Sequence, residues 1–197
     1  MTREELDELH YITPIANVAL ILKGGILSHQ RVGRVRHESV AMEEVQERRK
    51  TVVVPGGRRL HEYVNLYIQG RNPMLFVRRG HHEQLCVLRV SPAVLDLSGV
   101  VIADRNASSD HVRFGPAPAA LALVDGDRVF AEYWTHPNDQ IEEWIHKSIK
   151  CAEVLVPGRV GPTLVTGAYV SCPESRDALL AVAPRFRVSV NAHLFFR

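Results

Sequence analysis

Hydrophobic spacing along the 197 residues divides them into short strands and helices in mixed order. His10-Tyr11-Ile12-Thr13 predicts a short strand, and the run from Pro14 to Leu22 predicts a helix with proline near its start and Gly24-Gly25 past its end. Residues 39–50 predict a second helix, with Val40, Ala41 or Met42, and Val45 on an apolar edge and Glu43, Glu44, Glu47, Arg48 and Arg49 as the polar remainder. The short β-branched run 51–54 is closed by Pro55-Gly56-Gly57, and a turn-rich passage leads through Arg71-Asn72-Pro73 into Met74-Leu75-Phe76-Val77. Strands are expected at 83–90, 99–103, 163–171 and around 187–190. Asp139 as N-cap, with Glu142 three residues on, opens a helix through Ile141, Trp144, Ile145, Ser148 and Ile149 that feeds into the run 152–157. Pro173 leads a last helix to Val182. With no internal repeat, low-complexity tract or linker, the chain reads as one α+β domain over residues 1–197.

Composition fits a globular chain: 46% of residues are hydrophobic and 23% charged, enough apolar surface to offset the ordering entropy. No run of about 18 apolar residues occurs, and the charged start Met1-Thr2-Arg3-Glu4-Glu5 is unlike a signal peptide, so a soluble, cytoplasmic protein without a membrane partner is expected. Cys86, Cys151 and Cys172 lie far apart and form no C-x-x-C pair, and none of the ten histidines has a recognised ligand spacing, so no metal is expected. The G-x-S-x-G elbow and the phosphate-cradling GxxxxGK[ST] loop are absent. The net charge of +2 conceals a segregation, because residues 23–90 hold thirteen Lys/Arg against six Asp/Glu, a net of +7. Such a stretch suits a polyanion as well as it suits solvated surface.

Two positions stand out for chemistry. Glu153 is a lone carboxylate in the run Ala152-Glu153-Val154-Leu155-Val156, where a strand is otherwise apolar. From the residues alone it is either ordinary surface or a group in a cleft, able to accept hydrogen bonds from a sugar hydroxyl and to stabilise a nearby cation. Glu47-Arg48-Arg49-Lys50 closes the second helix, where positive charge suits the helix C-terminus but also matches phosphate geometry.

Across nearly the whole chain these segments resemble the DarT toxins, NAD-dependent ADP-ribosyltransferases that modify bases in DNA. Tyr11-Ile12-Thr13-Pro14-Ile15-Ala16-Asn17-Val18, with Gly24-Gly25-Ile26-Leu27-Ser28, is similar to the strand and helix that hold NAD. Val45-Gln46-Glu47-Arg48-Arg49 resembles the segment with the active-site arginine. The most specific stretch is Leu60-His61-Glu62-Tyr63-Val64-Asn65-Leu66-Tyr67-Ile68 leading to Arg71-Asn72-Pro73-Met74-Leu75-Phe76. Ala103-Asp104-Arg105-Asn106-Ala107 is similar to the D-G-H/N-A element, and Lys150 to Val156 to the strand with the catalytic glutamate. Three positions depart from the family: Tyr11 stands where it has histidine, with His10 one place earlier; Arg105 replaces glycine; and Asn106 takes a place often held by histidine. Asn65-Leu66 and Arg71-Asn72 are more similar to the guanine-associated than to the thymine-associated subgroup.

The resemblance implies an ADP-ribosyltransferase-like fold with a central mixed sheet flanked by helices. It also implies an NAD-dependent enzyme acting on a base of single-stranded DNA, with NAD as co-substrate, and a separate antitoxin of the ADP-ribosyl hydrolase type. By the same resemblance Glu153 and Arg49, with Arg48 as the alternative, are catalytic. His10 or Tyr11, with Thr13 and Asn17, binds NAD, while Tyr63, Arg71, Met74 and Asn106 meet the DNA. Two other readings are a same-fold transferase acting on RNA or protein, and an inactive nucleic-acid-binding relative. Either is separable by offering labelled NAD with DNA, RNA and protein acceptors.

Overall fold

The computed structural model describes residues 1–33 and 43–197. Among the described residues ten strands form: β1 (Leu9–Pro14), β2 (Ile26–Leu27), β3 (Tyr63–Tyr67), β4 (Leu85–Val90), β5 (Val101–Ala103), β6 (Phe114–Pro116), β7 (Glu153–Pro157), β8 (Arg159–Val160), β9 (Val165–Val170) and β10 (Val188–Val190). Eight make one sheet in the order β10-β9-β4-β1-β3-β7-β5-β6, and β2 pairs with β8 in a small second sheet. Only β9 and β10 run parallel within the large sheet, which makes it mixed. The helices are α1 (Val18–Gly24), α2 (His29–Val32), α3 (Glu43–Thr51), α4 (Pro73–Val77), α5 (Gly126–Phe130), α6 (Gln140–Ile149) and α7 (Pro173–Val182).

The expected strand–helix entry forms as β1, a 3-10 turn over Ile15–Asn17, and α1. Gly25 ends it at φ 84°, where a Cβ would lie 2.2 Å from the Val160 carbonyl oxygen, so the glycine lets α1 stop against β8. The second helix is seen from Glu43; its expected first residues, 39–42, lie outside the described residues. The run 51–54 forms no strand: Thr51 ends α3, and Val53 makes one isolated bridge to Arg59. After the turn, Met74–Val77 is helical because Pro73 sits in the first turn and the Asn72 side chain accepts from the Leu75 amide at 3.0 Å.

Because successive strand residues point to opposite faces, the sheet sorts its side chains into two cores. Leu9, Leu66, Leu88, Val154 and Val170 join Val18 and Ile21 of α1 and Leu179 of α7 in the larger one. The other face carries two smaller clusters, Ile12, Tyr67, Leu75, Val87 and Phe195 in one, and Tyr63, Leu60, Ala103, Ala107 and Leu155 in the other.

Candidate active site

Strand register assembles one row of side chains across the sheet. His10 of β1 pairs with Tyr67 of β3, Tyr67 with Glu153 of β7, and Glu153 with Ala103 of β5. Directly opposed residues share a face, so all four point toward the side of the two small clusters. Glu153 stands at the seam between those clusters and is wholly buried.

Burying that carboxylate requires a partner, and α3 supplies it. Arg49 Nη1 donates to Oε1 at 2.9 Å and Nη2 to Oε2 at 3.0 Å, a two-pronged ion pair across 104 residues of chain. Burial works against the charge on Arg49, but the Glu153 carboxylate outweighs it and holds the guanidinium pKa above its ordinary value. Arg48 is exposed, so of the two neighbours it is Arg49 that turns inward. The Ala107 amide donates to Oε1 at 3.3 Å. Each carboxylate oxygen accepts about two hydrogen bonds, so among the described residues Oε1 has two donors and Oε2 has one, with a lone pair left over. Beside the pair, burial and then the charge of Glu153 push the Tyr67 phenol well above its ordinary range, keeping it neutral and able to donate.

The expected NAD-binding residues divide between the two faces. His10 shares the Glu153 side; its Nδ1 lies 3.3 Å from the Ile68 carbonyl and its Nε2 3.2 Å from Glu8. Tyr11 points the other way, packed against the larger core with its phenol pushed up to about 12 by burial. Thr13 follows Tyr11 in alternation, and its hydroxyl accepts from Asn17 Nδ2 at 3.3 Å, tying the end of β1 to the start of α1. The ring of His10 also lines a cleft of about 240 Å³ with Gln69, Tyr169 and Asn191. Glu5 and Asp7 give the cleft an acidic wall, while Glu8 on the same wall is held by Arg89 and His10, so the cleft suits an uncharged or cationic fragment better than a pyrophosphate.

Of the expected DNA contacts, Tyr63 proves to be a core residue. It is 4% exposed, and its hydroxyl accepts from the Arg58 amide at 3.2 Å, so its ring offers no face for stacking. Met74 is half-buried against the Tyr67 cluster. Arg71 lies 4.0 Å over the Phe196 ring, its Nε donates to His193 at 3.4 Å, and its Nη1 has no protein acceptor among the described residues. Asn106 Oδ1 caps the following turn by accepting from the Ser108 amide and hydroxyl at 2.9 and 2.8 Å, which leaves its NH₂ group for other partners. The contribution sequence reading misses is the Ala107 amide, a backbone donor with no side-chain signature. The nearest available signal was the Asp104-Arg105-Asn106-Ala107 element around it.

Among the described residues no group of three or more His, Cys, Asp or Glu side chains is placed to hold a metal ion, and no helix is long and apolar enough to cross a membrane. The family model described as "ssDNA thymidine ADP-ribosyltransferase, DarT" matches residues 10–196. A DNA ADP-ribosyl transferase–DNA ADP-ribosyl glycohydrolase fusion protein of Thermosipho africanus is 33% identical over 173 residues, covering 85% of this chain; the chain spans only 43% of the fusion. A DNA ADP-ribosyl transferase of Thermus sp. is 31% identical over 166 residues, 79% of this chain and 77% of the relative. The structure of Thermus sp. 2.9 DarT in complex with ADP-ribosylated ssDNA superposes with a TM-score of 0.85 at 26% identity, over 99% of each chain. The same protein solved with carba-NAD+ gives a TM-score of 0.80 at 25% identity, over 97% of this chain and 98% of that one.

Proposed function

The chain belongs to the DarT family, and from that premise we propose that it transfers ADP-ribose from NAD to a base of single-stranded DNA. The observation that carries the reading is the fully buried Glu153, held on both oxygens by Arg49 and aligned with His10 and Tyr67 on one sheet face. In the transfer, the bond between ribose C1′ and the nicotinamide nitrogen breaks, nicotinamide leaves with the bonding electrons, and a base nitrogen bonds to C1′ and gives up its proton. The spare lone pair on Glu153 Oε2 accepts from the ribose 2′-hydroxyl, and the carboxylate stabilises the positive charge developing at C1′. Proton removal from the attacking base falls to the same group. Arg49 positions the carboxylate and brings a planar fork to any phosphate that displaces one of its two bonds.

Glu153→Gln keeps the shape and removes the charge. Transfer of label from NAD to an unstructured oligonucleotide is expected to fall by about 10²–10⁴-fold, and a Gln variant as active as the parent overturns the reading. Acting on a base requires it unstacked, which favours a single strand. We propose guanine as the base, from Asn65-Leu66 and Arg71-Asn72, against the thymidine in the matched family's description. Digestion and mass analysis of modified strands containing only one of the two bases decides between them. The Thermosipho fusion joins a transferase to a glycohydrolase. This supports a toxin restrained by a separate hydrolase here, and growth arrest on expression, relieved by a co-expressed DNA ADP-ribosyl glycohydrolase, is the expected outcome.

A further inference from the structure

The loop joining β5 to β6 carries a cation, Arg105, that the fold uses only in part. Its neck is tied by Asp104 and Arg113: the Asp104 amide donates to the Arg113 carbonyl at 3.1 Å, the Arg113 amide to Asp104 Oδ1 at 2.9 Å, and Arg113 Nε to Oδ2 at 2.8 Å. The Asn106 amide, bonded to the Ser148 carbonyl at 2.9 Å, fixes the loop to the last turn of α6. These ties place the Ala107 amide on Glu153. Arg105 reaches the same Asp104 carboxylate only at 3.3 Å through Nε and Nη2, the outer limit of a hydrogen bond. Three of its five N–H groups therefore have no protein acceptor among the described residues, although its side chain is only 17% exposed. Asp110, the loop's other carboxylate, is exposed and makes no ion pair with Arg105.

We propose that Arg105 is a substrate contact: its free guanidinium edge binds a phosphate diester of the DNA strand, next to the nucleotide whose base faces Glu153. One residue, Asn106, separates Arg105 from Ala107, a span the side chain can bridge. A planar fork with three open donors matches two phosphate oxygens. The proposal rests on the DNA-modifying reading of the site, and NAD carries the same phosphate chemistry, so binding is measured separately for each.

Arg105→Met keeps the stem and removes the fork, and Asp104 retains its shorter bonds to Arg113. The test is anisotropy of a labelled single-stranded oligonucleotide over a salt series without NAD, with NAD titrated alone in parallel. The variant is expected to bind the oligonucleotide about tenfold more weakly, with a log K against log salt slope shallower by about 0.7, the value for one lost phosphate contact on a single strand. NAD affinity and melting temperature stay as in the parent, and Arg105→Lys restores the slope with only part of the affinity. Unchanged oligonucleotide affinity and slope, no binding by the parent, or a loss confined to NAD overturns the assignment. If the parent binds as expected but transfers no label to DNA, the reaction proposed above fails while this contact stands.

Discussion

Arg49 and Glu153 give up their hydration together, and their pairing recovers that cost only while both are present. Removing one partner strands a buried charge, so Arg49→Met and Glu153→Gln are each expected to destabilise the fold by about 3–5 kcal/mol in denaturant titrations. The double variant costs clearly less than the sum of the two, because it leaves no orphaned ion. Additive losses speak against a coupled pair. The sequence singled out both residues, yet the pairing itself was not legible. Glu153 read equally as surface, and Arg49 could not be told from Arg48, because their meeting depends on where α3 lies over the sheet. Tyr63, which the resemblance places against DNA, is buried by the strand order, and no local pattern of residues shows that burial.

Among the elements, those with local signals were readable. In α6 the Asp139 side chain accepts from the Glu142 amide at 2.9 Å as the cap predicts, while the Glu142 carboxylate pairs with Arg128 at 2.7 Å instead of closing the box. The helix's apolar stripe is equally real in spacing, yet Ile141 and Trp144 are 67% and 63% exposed, since periodicity tells which residues share a face and not what covers it. β3 escaped detection because Tyr63, Val64, Leu66 and Tyr67 are buried on both faces, which erases the alternation that marks a strand. At the end of α6, Lys150 is buried with Nζ donating to the Val129 and Ala131 carbonyls at 2.8 and 2.5 Å, which satisfies the last turn of α5. Burial, and then the charge of Arg71, lower its pKa to about 8. Between that value and about 10.4 the unfolded chain holds the proton more tightly, so stability rises with pH through this window. Lys150→Met is expected to flatten the rise in melts recorded from pH 8 to 10, and an identical slope removes Lys150 as its source.

Over the whole molecule, the sheet order β10-β9-β4-β1-β3-β7-β5-β6 brings together groups that no window of sequence contains. His10, Tyr67 and Glu153 become one row because β1, β3 and β7 are spatial neighbours, and the α+β class was legible while this order was not. The charge segregation has a consequence at the same level. The excess of +7 over residues 23–90 attracts a polyanionic strand, and it lies in the segments before, between and after α3, β3 and α4 rather than in these elements, whose own charges sum to zero. That attraction does not distinguish one strand from two, whereas the chemistry does, because a paired base must first be unstacked and unpaired at a cost of a few kcal/mol. Single- and double-stranded oligonucleotides of one sequence are therefore expected to bind with affinities that both fall steeply with salt, while label transfer is faster to the single strand at every salt concentration. Equal transfer to both forms overturns the expectation that the cost of unpairing and extruding the base limits the reaction.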